Sequence, residues 1–204
     1  MNYKTLITER KSVRDYKKTK VSNKIINSIL QYSKECKKLI NDIENEIIIK
    51  DKDIVYKQLN GIAGYLGKMI EAPHYLIILS ENNKHYIENA GYLGEKIILK
   101  ALDLDVNSCW ITFPSSNMIK EKLNITNTKE ITALIALGYD TNKTKIINPT
   151  KVGDNYSKSQ IEIVNDNVSS RHKIEDIVYI KEWGNKAEYN DLKRRGLLEA
   201  LHYA

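Results

Sequence analysis

The chain is 204 residues long, 42% hydrophobic and 28% charged, with a formal net charge of +6. That balance excludes a disordered or fibrous polymer and fits one domain with a sizeable core, or two very small ones. Two cysteines, Cys36 and Cys109, exclude a disulfide framework, and the apolar runs, such as "YLIIL" at 75–79, are far too short to span a bilayer.

The opening "MNYKTLITER" lacks the apolar core of a signal peptide. The expectation is therefore a cytoplasmic protein with reduced thiols and no membrane partner. A positive balance favours anionic partners in general. Its basic residues are spread among acidic ones, however, with no helix-turn-helix or stacking motif, so no nucleic-acid partner is expected.

In chain order, the first feature is "RKSVRDY" at 10–16, where Arg10, Lys11 and Arg14 surround one hydroxyl, Ser12. On a helix or a turn leaving one, Arg10 and Arg14 share a face, with Ser12 between them. Two readings follow. The cluster is either a basic helix end offsetting the macrodipole, or a set of forked donors for an anion.

The spacing predicts a helix over 22–50, with Ser22 as its N-cap and an apolar stripe of Ile25, Ile26, Ile29, Leu30 and Tyr32. "GIAGYLG" at 61–67 predicts a tight loop, and "EAPHYLIILS" a buried strand begun after Pro73. A second helix is predicted over 86–103, with Glu88, Glu95 and Lys100 pointing away from its apolar face. "NSCWITF" then reads as a strand, "SSNMIKEKLNI" as a short capped helix, and "ITALIALGY" as another buried strand ended by Gly138. Continuous apolar runs of this kind belong to central strands covered on both faces, which predicts helix–sheet–helix layers. Residues 141–170 show no lasting period and predict a long excursion. Structure resumes at "HKIEDIVYI", and "DLKRRGLLEALHYA" predicts a final helix with a faint echo of "IINSILQYS" at 25–33.

"ERKSVRDY" resembles the opening signature of the FMN-dependent nitroreductase family, Arg-x-Ser-x-Arg-x-aromatic. "AGYLGEKIILKALDLDVNSCWI" at 90–111 is similar to that family's helix followed by Gly-Leu-Gly-Ser-Cys-Trp. "ITALIALGY" is similar to the strand after it, and "SSRHKIEDIVY" at 169–179 to its late basic segment. The resemblance implies an α+β fold, a mixed β-sheet flanked by helices, and one nitroreductase-like domain over 1–204. It also implies that Arg10, Ser12, Arg14, Arg171 and Lys173 contact the phosphate and ribityl chain of FMN. NAD(P)H would be the electron donor, and a nitroaromatic, quinone or similar small molecule the acceptor.

A closer likeness is to the internally duplicated, single-chain branch of the family, which implies a homodimer or pseudo-dimer. In that branch a Pro-Ser-x-x-Asn-x-Gln segment follows a helix like "GLLEALHYA"; here Ala204 stands where it would begin. The Gly-Leu-Gly positions read Asp105, Val106 and Asn107. Asp and Asn tolerate left-handed backbone, so the turn is expected to survive. An acid beside an anionic cofactor predicts reduced FMN affinity, or dependence on a partner chain. A second functional reading is a non-catalytic relative that binds flavin weakly.

No other residue earns a catalytic role. His74 is expected to pack at a strand start, Cys109 to be an inert core thiol, and Glu95 a solvated helix residue. His85, His172 and His202 show no metal spacing, so no metal site is assigned. Gly61, Gly64 and Gly67 do not lead from a strand into a helix as a dinucleotide loop does.

Overall fold

A computed structural model describes residues 1–142, 144–147, 162–165, 177–193 and 196–203. The chain divides into two compact units, one of Lys11–Val168 and one of Met1–Arg10 with Ser169–Ala204.

The larger unit is built on four antiparallel strands: β1 (Asn45–Asp51), β2 (His74–Ser80), β3 (Asn107–Ile111) and β4 (Glu130–Gly138). Their spatial order is β1-β2-β4-β3. Every residue of β2 is buried, as its unbroken apolar run predicts. Because side chains alternate along a strand, β2 feeds two cores. Tyr75, Ile77 and Leu79 pack with Val55 and Leu59 of a helix at Lys52–Leu59, and with Ile119 and Leu123 of one at Ser116–Leu123. Leu76 and Ile78 pack on the other face with Ile29 of α2 (Asn23–Glu35), and with Leu93 and Ile97 of a long helix at Tyr86–Leu102. These three helices are α3 (52–59), α4 (86–102) and α5 (116–123); α1 (Tyr3–Glu9) belongs to the smaller unit. The helix–sheet–helix layering is thus the predicted one, with α3 and α5 on one face and α2 and α4 on the other.

One residue of β4 departs from the alternation. Ile78 pairs with Ala133, but Leu79 pairs with Ile131, so Thr132 is the extra residue of a bulge. Its hydroxyl donates to the Ile78 carbonyl at 3.1 Å. The bulge resets the face, placing Ile131 with Leu79 in one core and Ala133 with Ile78 in the other.

The helix predicted over 22–50 is corrected. Ser22 does cap α2, its hydroxyl oxygen accepting from the Ile25 amide at 3.4 Å, and the predicted stripe lies on this helix. The helix ends at Glu35, and Asn45–Asp51 is strand. Ile47, Ile48 and Ile49 are β-branched, and each finds a partner on β2 in a ladder that runs the full length of both strands. Within the predicted excursion, β5 (Thr144–Ile147) and β6 (Glu162–Asn165) pair antiparallel in a separate two-stranded ladder.

In the smaller unit the predicted terminal helix is broken into α6 (Tyr189–Leu192) and α7 (Leu197–Tyr203). Gly196, at φ +72°, stands just before α7 in backbone that interrupts a right-handed helix. An exposed Lys4–Glu199 ion pair at 2.5 Å ties α1 to α7.

Candidate functional site

The site begins with the stretch from Lys11 to Val21, which is neither helix nor regular strand. It runs as a strap across one end of the sheet, meeting the strands in their spatial order. At β3, Ser12 bridges Ser108, and the Val13 amide donates to the Ser108 carbonyl at 3.0 Å. Past the end of β4, the Lys17 amide donates to Tyr139 at 2.8 Å, and Tyr16 bridges Asp140. At the start of β2, the Val21 amide donates to His74 Nε2 at 3.1 Å. At the end of β1, Lys20 Nζ lies 2.5 Å from Asp51 Oδ2.

Apolar side chains hold the strap down. Val13 and Tyr16 enter the α3/α5 core, and Val21 enters the α2/α4 core. Full burial of such a side chain contributes about 1.5–3 kcal/mol. Burial also pushes the Tyr16 phenol well above its ordinary pKa, with the Cys109 and Asp140 charges adding to the effect. It stays a neutral donor, facing the Ala136 carbonyl at 3.4 Å.

The predicted site residues fare differently. Arg10 caps α1, its amide donating to the Leu6 carbonyl at 2.9 Å, with extended backbone at φ −62° and ψ 128°. The helix therefore ends at Arg10, and the chain that carries Ser12 and Arg14 leaves it in extended backbone. Ser12 is half-buried against β3. Arg14 is exposed, and its Nη1 donates to the Ser12 carbonyl at 3.2 Å. Lys11 is structural: its ammonium lies 2.5 Å from Asp140 Oδ2, which is buried. Arg171 and Lys173 lie outside the described residues.

Arg14 also opens onto a cleft of about 300 Å³ lined by Asp15, Tyr16, Lys17, Lys18, Lys52, Glu71, Ala72 and Pro73. Four cations face two carboxylates there. Lys52 is paired with Glu71, and Asp15 accepts from the Thr141 hydroxyl at 3.3 Å. Among the described residues Lys17 and Lys18 make no ion pair, so the cleft keeps an excess of positive charge. Lys17 and Lys18 stand in the run "RDYKKTK", which overlaps the end of the motif but places both lysines beyond it. Lys52 gives no such signal, since it arrives on α3 from a distant part of the chain.

The turn into β3 survives without glycine. Asp105 sits at φ +59° with its side chain exposed, and the Asp105 and Val106 amides close the end of α4 on the Leu102 and Ala101 carbonyls, each at 2.9 Å. Asn107 Oδ1 accepts the Asp140 amide at 3.3 Å. Cys109 is buried in the sheet, as expected of a core thiol. Glu95 is less solvated than expected, because it accepts the Trp110 indole N–H at 3.4 Å. Among the described residues no group of three or more His, Cys, Asp or Glu is placed to hold a metal ion, and no helix is long and apolar enough to cross a membrane.

Comparison with known proteins bears on the fold and the family. The family model described as "Putative TM nitroreductase" matches residues 2–182. A nitroreductase family protein from Clostridium novyi NT superposes with a TM-score of 0.60 at 18% identity, over 91% of this chain and 97% of its own. A nitroreductase with bound FMN from Bacteroides fragilis NCTC 9343 superposes with a TM-score of 0.59 at 17% identity, over 80% and 99%. An FMN-dependent nitroreductase from Clostridium difficile R20291 gives 0.56 at 22% identity, over 72% and 92%. No curated protein matches the chain. At these identities the structural likeness shows a shared fold, and the family model carries the assignment: the chain belongs to the nitroreductase family.

Proposed function

We propose that the chain is an FMN-dependent oxidoreductase that passes electrons from NAD(P)H to a nitroaromatic, quinone or similar small acceptor. The observation that carries this reading is the strap, which holds Ser12 against β3 and turns Arg14 toward a basic cleft. The donor set suits the cofactor. The guanidinium and lysine ammoniums of the cleft match the oxygens of a phosphate monoester, and charge-assisted bonds of this type are about twice as strong as neutral ones; Ser12 stands beside the cleft rather than in its lining.

In this reading Arg14 and Ser12, with Arg10, Arg171 and Lys173, bind the phosphate and ribityl chain, and Lys17 and Lys18 add to the field that draws the anion in. When bound, FMN supplies reversible redox chemistry that no side chain of the protein provides. The protein's own part is to bind and orient it. Val13 and Tyr16, locked in the core, keep Ser12 and Arg14 from following the solvent. Assembly as a homodimer or pseudo-dimer belongs to the same proposal.

The test is the visible spectrum of the purified chain after FMN is added and the excess removed. A yellow protein bleached by NAD(P)H supports the reading, and Arg14→Ala should then weaken FMN binding by about tenfold or more, the size expected for losing one charge-assisted contact. A chain that retains no FMN makes it the non-catalytic relative instead.

A further inference from the structure

The far end of the strap is held by a histidine whose protonation state decides whether it can hold. His74 opens β2 and is 5% exposed. Its Nε2 accepts the Val21 amide at 3.1 Å, and its Nδ1 lies 2.9 Å from Asp51 Oδ1. An ionised carboxylate offers no proton, so Nδ1 carries the hydrogen and Nε2 is the bare acceptor. A second proton on the ring would set an N–H against the Val21 N–H. That amide is buried with its residue, which is 2% exposed, so no water replaces the lost acceptor.

The charged groups facing the ring are few. Asp51 comes from β1 and Lys20 from the strap, with Asp53 of α3 acting on Lys20. Across the ladder on β4 the partner is Leu137, which does not titrate. Burial is the largest influence and holds the imidazole pKa below 6.5, with Lys20 acting in the same direction and Asp51 opposing both. Lys20, Asp51, His74 and Val21 thus form one chain of contacts, and both anchors of the strap's end pass through it.

We propose that His74 is a positioning residue for the cofactor site: neutral, it clamps the strap at Val21 and steadies the Lys18 end of the cleft wall; protonated, it frees that end, while Tyr16 in the core and the Lys17 amide on Tyr139 still hold the rest. The inference rests on the reading that the strap holds FMN. Its consequence is that FMN affinity falls on acidification through the titration of a side chain that never touches the flavin.

The experiment follows three quantities on the intact chain between pH 5 and 8. They are the His74 ring titration by NMR, the exchange rate of the Val21 amide, and the dissociation constant for FMN. Val21 exchange should rise and FMN affinity should fall, each by about tenfold, as His74 protonates, the size expected for one buried acceptor lost. His74→Gln places a non-titrating oxygen near the position of Nε2, and should keep the alkaline affinity while losing the acid fall. Dividing by its profile cancels the titration of the flavin's own phosphate, whose second pKa is about 6. Asp51→Asn removes the charge that favours the imidazolium, and should move the transition to lower pH.

Val21 exchange that stays flat through the His74 titration overturns the clamp. Exchange that titrates while FMN affinity, after division by the His74→Gln profile, stays level overturns the positioning role. Failure to bind FMN at any pH would sink the proposed function instead, and Val21 exchange would still decide the clamp.

Discussion

Lys11 Nζ lies 2.5 Å from Asp140 Oδ2, with the carboxylate 4% exposed and the lysine side chain 20% exposed. One charge of the N-terminal basic cluster is therefore spent inside the protein, pinning the strap to the chain leaving β4. Breaking such a pair leaves an uncompensated buried charge, which is costlier than never having had the pair. Lys11→Met should destabilise the chain by about 3 kcal/mol, as buried pairs do when one partner is removed. Adding Asp140→Asn should restore part of the loss, so a double-mutant cycle by urea denaturation should show clear coupling. Additive losses would mean the contact contributes nothing.

Gly138 lets the strap and the loop before β2 come close. A methyl group on it would lie 2.7 Å from the Pro73 ring and 2.9 Å from Tyr16 Cδ1. The proline ring cannot rotate away, and Tyr16 is locked in the core. Gly138→Ala should cost about 2 kcal/mol, within the range for overpacking, measured by the same denaturation.

Gly94 of α4 lies beneath Trp110. An added methyl would meet Trp110 Cη2 at 2.6 Å and Ile78 Cδ1 at 3.0 Å. Alanine gains up to about 1 kcal/mol of helix propensity, but the indole must lift off and lose its bond to Glu95. A red-shifted Trp110 fluorescence with a small net loss of stability is the expected result. The measurement uses a Trp183→Phe background, since Trp183 is 89% exposed and would mask the shift.

Asp105 occupies left-handed backbone at φ +59°. Glycine relieves that conformation, so Asp105→Gly should stabilise the chain by about 1 kcal/mol. Removing the negative charge should also raise FMN affinity, read by fluorescence titration at low salt. Unchanged affinity would show that this turn lies too far from the phosphate to matter.

Acid should destabilise the protein in two stages. His74 has its pKa lowered from 6.5 by burial, so below about pH 6.5 the unfolded chain takes up a proton that the folded chain refuses. Stability therefore drops with pH until the folded ring itself titrates. Asp51 has its pKa lowered from 3.8, first by the hydrogen bond from Lys20 and then by the charges of His74 and Lys20. Its contribution is present above pH 3.8 and disappears as pH falls through the folded value. Thermal melts of His74→Gln should lack the upper stage and keep the lower one.

By itself the sequence determined the layers and the candidate ligands. Apolar runs at 75–79 and 131–137 can only be central strands when chain on both faces covers them, and Ser22 and the stripe of α4 announce their helices through local chemistry. Arg10, Ser12 and Arg14 stand out as proposed ligands because a motif is a property of neighbours in sequence. The strand at Asn45–Asp51 was hidden, because three isoleucines in a row suit helix or sheet until β2 supplies the pairing. The roles within the cluster were hidden for the same reason. Only the fold brings Asp140 to Lys11, Ser108 to Ser12 and Lys52 to Arg14, and those meetings separate a buried ion pair from a cation turned toward a cleft. His74 packs at the start of β2 as its place in the sequence predicts, but its tautomer, and with it the hold on the strap, depends on an amide 53 positions away in the chain.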